Sequence, residues 1–246
     1  MSQVVTYEVL DQVALITIDH AENKNALSRG VVDQLSAAWE HFEAGPERAA
    51  VLTAAGDFAF SVGLDLKAPP DDMWRCVPGV GVDVSKPIVC AVTGWVVGGS
   101  FVILQMADMC VASDKAKFIY PEAKIGTTGG LIAGVAGRIP HKIAMEFILL
   151  GETFTAERAS EVGMINRVVP DGTQVEEALA IAHKLAGMAP LVVSTLKGFI
   201  DDLLPKGPME TVLAGRRRIE RVAKSADVTE GIAAFKEKRD PKFIGS

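Results

Sequence analysis

Thr93-Gly94-Trp95-Val96-Val97-Gly98-Gly99-Ser100-Phe101 decides how this chain is read. An apolar run over residues 88–92 leads into it, and apolar residues continue beyond it to Met106. Five consecutive apolar positions ending in a glycine turn predict a buried strand. The glycine pair then opens a short buried helix. Glycines at such a junction let a ligand approach the backbone, and the unpaired N–H groups of a helix start attract developing negative charge. They equally let a helix pack closely against a sheet, so the spacing alone leaves both uses open. Residues 88–106 are apolar enough to raise the question of a membrane span. Thr93, Gly94, Gly98, Gly99, Ser100 and Gln105 interrupt the run and Asp108 follows it, so strand, turn and helix is the better reading.

Around this stretch the chain is α/β. Residues 4–10 and 12–19 are β-branched runs split by a short polar break and predict a hairpin. Ser28 is placed to cap a helix whose Val31, Val32, Leu35, Ala38 and Phe42 share one face. Residues 49–53 and 109–112 are further short apolar strands, and their separation by helix-length segments implies parallel pairing. From about Lys142 the pattern is mainly helical, over 142–150, 155–162, 174–188, 190–202, 208–224 and 228–238. Residues 68–84, with five prolines and glycines at Pro69, Pro70, Pro78, Gly79 and Gly81, are the least regular part and are expected to face a substrate or to move.

Composition narrows the function. The 246 residues are 49% hydrophobic, which excludes a disordered chain. Twenty-five Lys and Arg against 31 Asp and Glu leave a charge of −6, which weighs against nucleic-acid binding. Three cysteines, Cys76, Cys90 and Cys110, have neither metal-type spacing nor an even count for a disulfide framework. A reduced, cytoplasmic protein without a metal, a nucleic-acid partner or a membrane partner is expected. No HExxH, GxSxG, Rossmann or P-loop pattern occurs. The basic cluster Arg216, Arg217, Arg218 and Arg221 reads as a solvated face or as subunit salt bridges.

Two further segments can carry chemistry. Phe60-Ser61-Val62-Gly63-Leu64-Asp65-Leu66-Lys67 follows a strand and can supply a second backbone N–H, or be an ordinary turn. Phe118-Ile119-Tyr120-Pro121-Glu122-Ala123-Lys124-Ile125-Gly126 sets one carboxyl among apolar neighbours before the glycine-rich Thr127-Thr128-Gly129-Gly130. Burial there would raise the Glu122 pKa and make it a proton carrier; exposure would leave it an ordinary loop residue.

With Asn25-Ala26-Leu27-Ser28 near the start and Glu230-Gly231-Ile232-Ala233-Ala234-Phe235-Lys236-Glu237-Lys238-Arg239 near the end, these segments in this order resemble the enoyl-CoA hydratase/isomerase (crotonase) superfamily. The resemblance implies an α/β spiral of ββα turns with a helical C-terminal trimerisation region. The spiral core and acyl-CoA site would occupy residues 1–190 and the oligomerisation helices residues 191–246. It implies an acyl-CoA thioester substrate, no cofactor beyond the CoA it carries, and a homotrimer or dimer of trimers. The thioester oxygen would lie between the N–H groups of Leu64 and Gly99, each contributing roughly 3–4 kcal/mol to an enolate by analogy with a measured oxyanion hole. Glu122 would be the acid/base and the Gly130 N–H would face a water site. Val62, Leu64, Asp65, Lys67, Gly98 and Lys238 would contact the CoA thioester, Lys238 from a neighbouring subunit. One departure bears on the reaction. Hydratases of this family use two glutamates, and the first falls on Val102, which carries no proton. The resemblance therefore implies double-bond isomerisation by one glutamate over hydration by two. The alternatives are an enoyl-CoA hydratase or another crotonase-type lyase or hydrolase whose water is activated by a different group, such as Tyr120 or Gln105, and a degenerate acyl-CoA-binding subunit.

Overall fold

The computed structural model describes residues 2–245. The chain opens with β1 (Val5–Leu10) and β2 (Val13–Ile18), an antiparallel hairpin, followed by α1 (Arg29–Ala44). Ser28 caps α1, its hydroxyl accepting from Val31 N–H at 3.4 Å, and the five apolar residues expected on one face are all buried. Beyond α1 the chain winds as a spiral. Each turn lays one strand in a large sheet and the next in a small one. β3 (Ala49–Ala54) is followed by β4 (Ala59–Ser61), and β5 (Ile88–Val92) by β6 (Trp95–Val97) and α2 (Gly99–Gln105). β7 (Met109–Ser113) is followed by β8 (Lys117–Ile119) and the single-turn α3 (Glu122–Ile125). The apolar run over residues 88–106 is thus β5, β6 and α2, none of them long enough to cross a membrane.

After α4 (His141–Leu150) come β9 (Phe154–Thr155), α5 (Ala156–Glu161) and β10 (Arg167–Val169). Four helices complete the chain: α6 (Gln174–Ala186), α7 (Pro190–Leu203), α8 (Pro208–Ala223) and α9 (Ala226–Glu237). The large sheet runs β1-β2-β3-β5-β7-β10, parallel except for the opening hairpin; the small one runs β4-β6-β8-β9. Two strands fall inside the region that the sequence reads as helical. β9 and β10 are only two and three residues long, too short for period-2 alternation to register.

Alternation along the buried strands feeds two cores. Ala50, Leu52, Ile88 and Cys90 face the spiral interior with α1 and α2, while Ala49, Val51, Val89 and Val111 face α6. Ala178, Ala182 and Ala186 recur every fourth residue on α6, so small side chains let that helix lie close to the sheet.

Asn25 joins the early segment to the first turn of the spiral. It sits at φ 55°, a left-handed conformation that asparagine tolerates better than most residues. Its buried amide donates to Ala55 O and Ala59 O, both at 2.9 Å, and accepts from His20 N–H at 3.0 Å. Asn25→Ala would strand all three backbone groups in the interior. Denaturant unfolding is expected to show a loss of about 2–4 kcal/mol, at roughly 1–3 kcal/mol for each group left unpaired with partial relaxation.

Candidate active site

The site forms where the glycine pair of α2 meets residues 60–67. Leu27 pairs with Leu64 as an isolated parallel bridge: Leu27 N–H donates to Gly63 O at 2.8 Å and Asp65 N–H to Leu27 O at 3.4 Å. That pattern turns the N–H of Leu64 itself away from Leu27. Gly99 opens α2, so its N–H has no carbonyl one turn earlier to bond. Among the described residues neither N–H has a protein acceptor. The two loops touch only because glycine lacks a side chain. A side-chain carbon on Gly63, at φ 84°, would sit 2.7 Å from Val97 O and 3.5 Å from Gly99 N. One on Gly99 would lie 3.8 Å from Leu64 Cγ.

Ser100 fastens the loops together. Its buried hydroxyl accepts from Val97 N–H at 2.9 Å, and its proton lies within reach of Ser61 O at 3.0 Å and Val97 O at 2.9 Å. Ser61 Oγ in turn accepts from Gly63 N–H at 3.2 Å. The sequence reading missed Ser100. A small polar residue directly after the glycine pair was the available clue, but its partner Ser61 is distant in the chain.

Glu122 enters from the third turn of the spiral, as the first residue of α3. A side-chain carbon on Gly98, at φ 54°, would lie 2.6 Å from Glu122 Oε1, so glycine there makes room for the carboxyl at the start of α2. Oε2 is buried with no hydrogen-bond partner. Burial is the main reason the Glu122 pKa rises to about 7, only partly opposed by its own backbone N–H. A carboxyl poised there can give or take a proton near neutrality.

Val102 is buried one helical turn after Gly99, on the same face of α2. The Gly130 N–H donates to Thr128 Oγ1 at 3.1 Å, and that hydroxyl also meets Tyr120 Oη at 3.2 Å. Burial pushes the Tyr120 hydroxyl up to about 12. Gln105 lies at the far end of α2, its Nε2 donating to Leu131 O at 2.9 Å. Of the residues expected at CoA, Val62 and Asp65 shape the first loop. Val62 N–H donates to Lys24 O at 3.2 Å, and Asp65 accepts from Lys67 N–H at 3.0 Å and Asn23 Nδ2 at 3.4 Å. Lys67 is exposed beside it. Lys238 ends α9, exposed, and among the described residues no hydrogen bond or ion pair ties it to this loop.

The family model described as enoyl-CoA hydratase/isomerase matches residues 8–246. The chain belongs to this family. It is 32% identical to the (E)-benzylidenesuccinyl-CoA hydratase of Thauera aromatica, covering 98% of this chain and 99% of that one. It is 33% identical to a carnitinyl-CoA dehydratase of Salmonella arizonae, covering 94% of each. The crystal structure of a probable enoyl-CoA hydratase/isomerase from Mycobacterium abscessus superposes with a TM-score of 0.76 at 34% identity, covering 100% of both chains. The spiral architecture is therefore the crotonase fold, and the chain is a crotonase-superfamily enzyme of the acyl-CoA type.

Ser100→Ala removes the shared hydroxyl and leaves Val97 N–H without an acceptor. The variant is expected to fold and to lose about tenfold in kcat, the equivalent of about 1.4 kcal/mol of transition-state stabilisation. Steady-state kinetics beside a thermal melt separates that loss from unfolding. The raised Glu122 pKa also makes a stability prediction. Between about 4.5 and 7 the folded state holds a proton that the unfolded chain has released, so burying this carboxyl costs stability as pH rises through that window. Glu122→Gln removes the cost. Its Tm relative to the parent is expected to rise between pH 4.5 and 7 and stay constant above.

Proposed function

We propose that this enzyme isomerises an enoyl-CoA, moving a double bond from the β,γ to the α,β position. The Leu64 and Gly99 N–H groups bind the thioester oxygen. Glu122 as carboxylate takes a proton from the α-carbon, and the C–H electron pair spreads into a dienolate whose charge rests on that oxygen. The same carboxyl, now protonated, returns the proton to the γ-carbon and is regenerated. Nothing is oxidised or reduced, so the reaction requires no cofactor beyond the CoA of the substrate. The observation that carries this reading is that the Glu122 carboxyl lies against the glycine pair, while Val102, at the position that resembles a second glutamate, is a buried apolar side chain. The engagement of the Gly130 N–H by Thr128 supports it, since that donor is then not aimed at a water. A Lys67 and a partner-subunit Lys238 at the CoA phosphates, in a cytoplasmic trimer or dimer of trimers, complete the proposal. The apolar side chains exposed on α7, Leu191, Leu196, Phe199 and Leu203, are the kind of surface an oligomer covers.

A second reading is hydration or dehydration, favoured by the names of the relatives and by the Tyr120 hydroxyl, which feels the Glu122 charge and meets Thr128 Oγ1. A panel of 3-enoyl- and 2-enoyl-CoA substrates separates the two. The expected result is conversion of 3-enoyl to 2-enoyl-CoA well ahead of 3-hydroxyacyl formation. Glu122→Gln should lose about 100- to 10,000-fold in kcat. Isomerisation kcat/KM should rise about tenfold per pH unit up to about 7 and level off, because the proton-abstracting form is the carboxylate. Dominant hydration, or full turnover by Glu122→Gln, contradicts the proposal.

A further inference from the structure

The arginine cluster of α8 and the irregular segment 68–84 explain each other. The cluster reads from sequence as a solvated face or a set of subunit salt bridges, but the structure turns two of its arginines onto that segment. Arg216 Nε bonds Glu220 Oε1 at 3.0 Å on α8, and Glu220 Oε2 accepts from Arg75 Nη2 at 2.6 Å across the gap. The Arg75 and Arg216 guanidinium carbons lie 5.0 and 5.6 Å from the ring centre of Trp74, a cation–π distance for both. Arg217 donates to Val80 O at 3.0 Å and pairs with Asp83. From below, Asp72 accepts from Arg75 Nε at 2.8 Å and pairs with Arg29 of α1. The 3₁₀ turn Met73–Cys76 is thus gripped between α1 and α8.

Met73, between Asp72 and Trp74 in that turn, reaches the glycine pair. Its methyl would lie 3.0 Å from a side-chain carbon on Gly99, closer than either Leu27 Cδ1 at 3.4 Å or Leu64 Cγ at 3.8 Å. A thioester held at the Gly99 N–H would bring its acyl group close to this methyl. In the first turn of α8 a second methionine approaches the glycine-rich turn: Met209 Cγ would lie 2.8 Å from a side-chain carbon on Gly130. Unbranched thioether side chains yield more readily than aliphatic ones, so a wall built from them grades ligands by size instead of excluding them outright.

We propose that Met73 is the acyl-size selector of this enzyme, and that Arg75, Glu220 and Arg216 are the positioning residues that hold it over the oxyanion helix. The proposal rests on the reading that an acyl thioester binds at Leu64 and Gly99, but not on which reaction follows. Calorimetric binding of butanoyl-CoA and decanoyl-CoA, neither of which turns over by isomerisation or hydration, therefore tests it apart from the chemistry. Met73→Ala is expected to shift the ratio of the two dissociation constants toward decanoyl-CoA by about tenfold or more, the scale on which apolar pockets sense methylenes. Met73→Leu keeps the packing with a shorter reach and shifts the ratio in the same direction by less. Glu220→Gln, which loosens the hold on Arg75 and Arg216, shifts it the same way by several-fold, and Glu220→Asp, which keeps the charge between the two arginines, stays close to the parent. A change in the ratio of the two constants, as against a common loss of binding, is not expected of residues that merely stabilise the fold. If both Met73 variants bind the two thioesters with the parent's ratio, the selector is wrong while the acyl-CoA reading stands. If the Met73 variants shift the ratio but Glu220→Gln does not, the positioning role is wrong. Failure of the parent to bind either thioester overturns the acyl-CoA reading and the selector together.

Discussion

Everything in this site depends on the close approach of two backbone segments that a shared hydroxyl ties together. Residues 61–64 and 97–100 meet because Gly63 has no side chain to strike Val97 O and because one hydroxyl, that of Ser100, serves both. The two unpaired N–H groups follow from that contact. Leu64 directs its donor outward because its neighbours use the bridge to Leu27, and Gly99 does so because a helix begins there. No charged side chain is needed to supply the positive potential. Donors fixed before the substrate arrives need no reorganisation when charge develops on a thioester oxygen.

The Glu122 carboxyl beside them is governed by desolvation. Gly98 leaves the space that Glu122 Oε1 fills, and the buried Oε2 has no partner, so the charged form is disfavoured and the proton is held until near neutrality. The same environment contains no second proton carrier on the face of α2 below Gly99, where Val102 lies buried.

Much of this was legible in the sequence. The cap at Ser28, the hairpin, the buried strands and the glycine-led helix each rest on spacing within a dozen residues, and so does the expectation that Glu122 sits among apolar neighbours. What could not be read is what joins distant segments. The small sheet is built from strands of two or three residues, too short to show a period. The partners of Ser100, Arg75 and Arg217 lie 39, 145 and 137 residues away in the chain. The arginine cluster illustrates the difference: charge on a helix face is visible in a sequence, while the loop it holds is not. Nor could spacing show that Thr128 engages the Gly130 N–H, since that depends on how the glycine-rich turn closes.

A crystal structure of the Glu122→Gln variant with an acyl-CoA bound tests the central claim most directly, because the variant should hold the thioester without consuming it. The account predicts the thioester oxygen within about 2.7–3.1 Å of both Leu64 N and Gly99 N, with the residue-122 side chain beside the α- and γ-carbons. A thioester oxygen bonded elsewhere, with those two amides facing water or the residue-122 side chain turned away from the acyl chain, would contradict it.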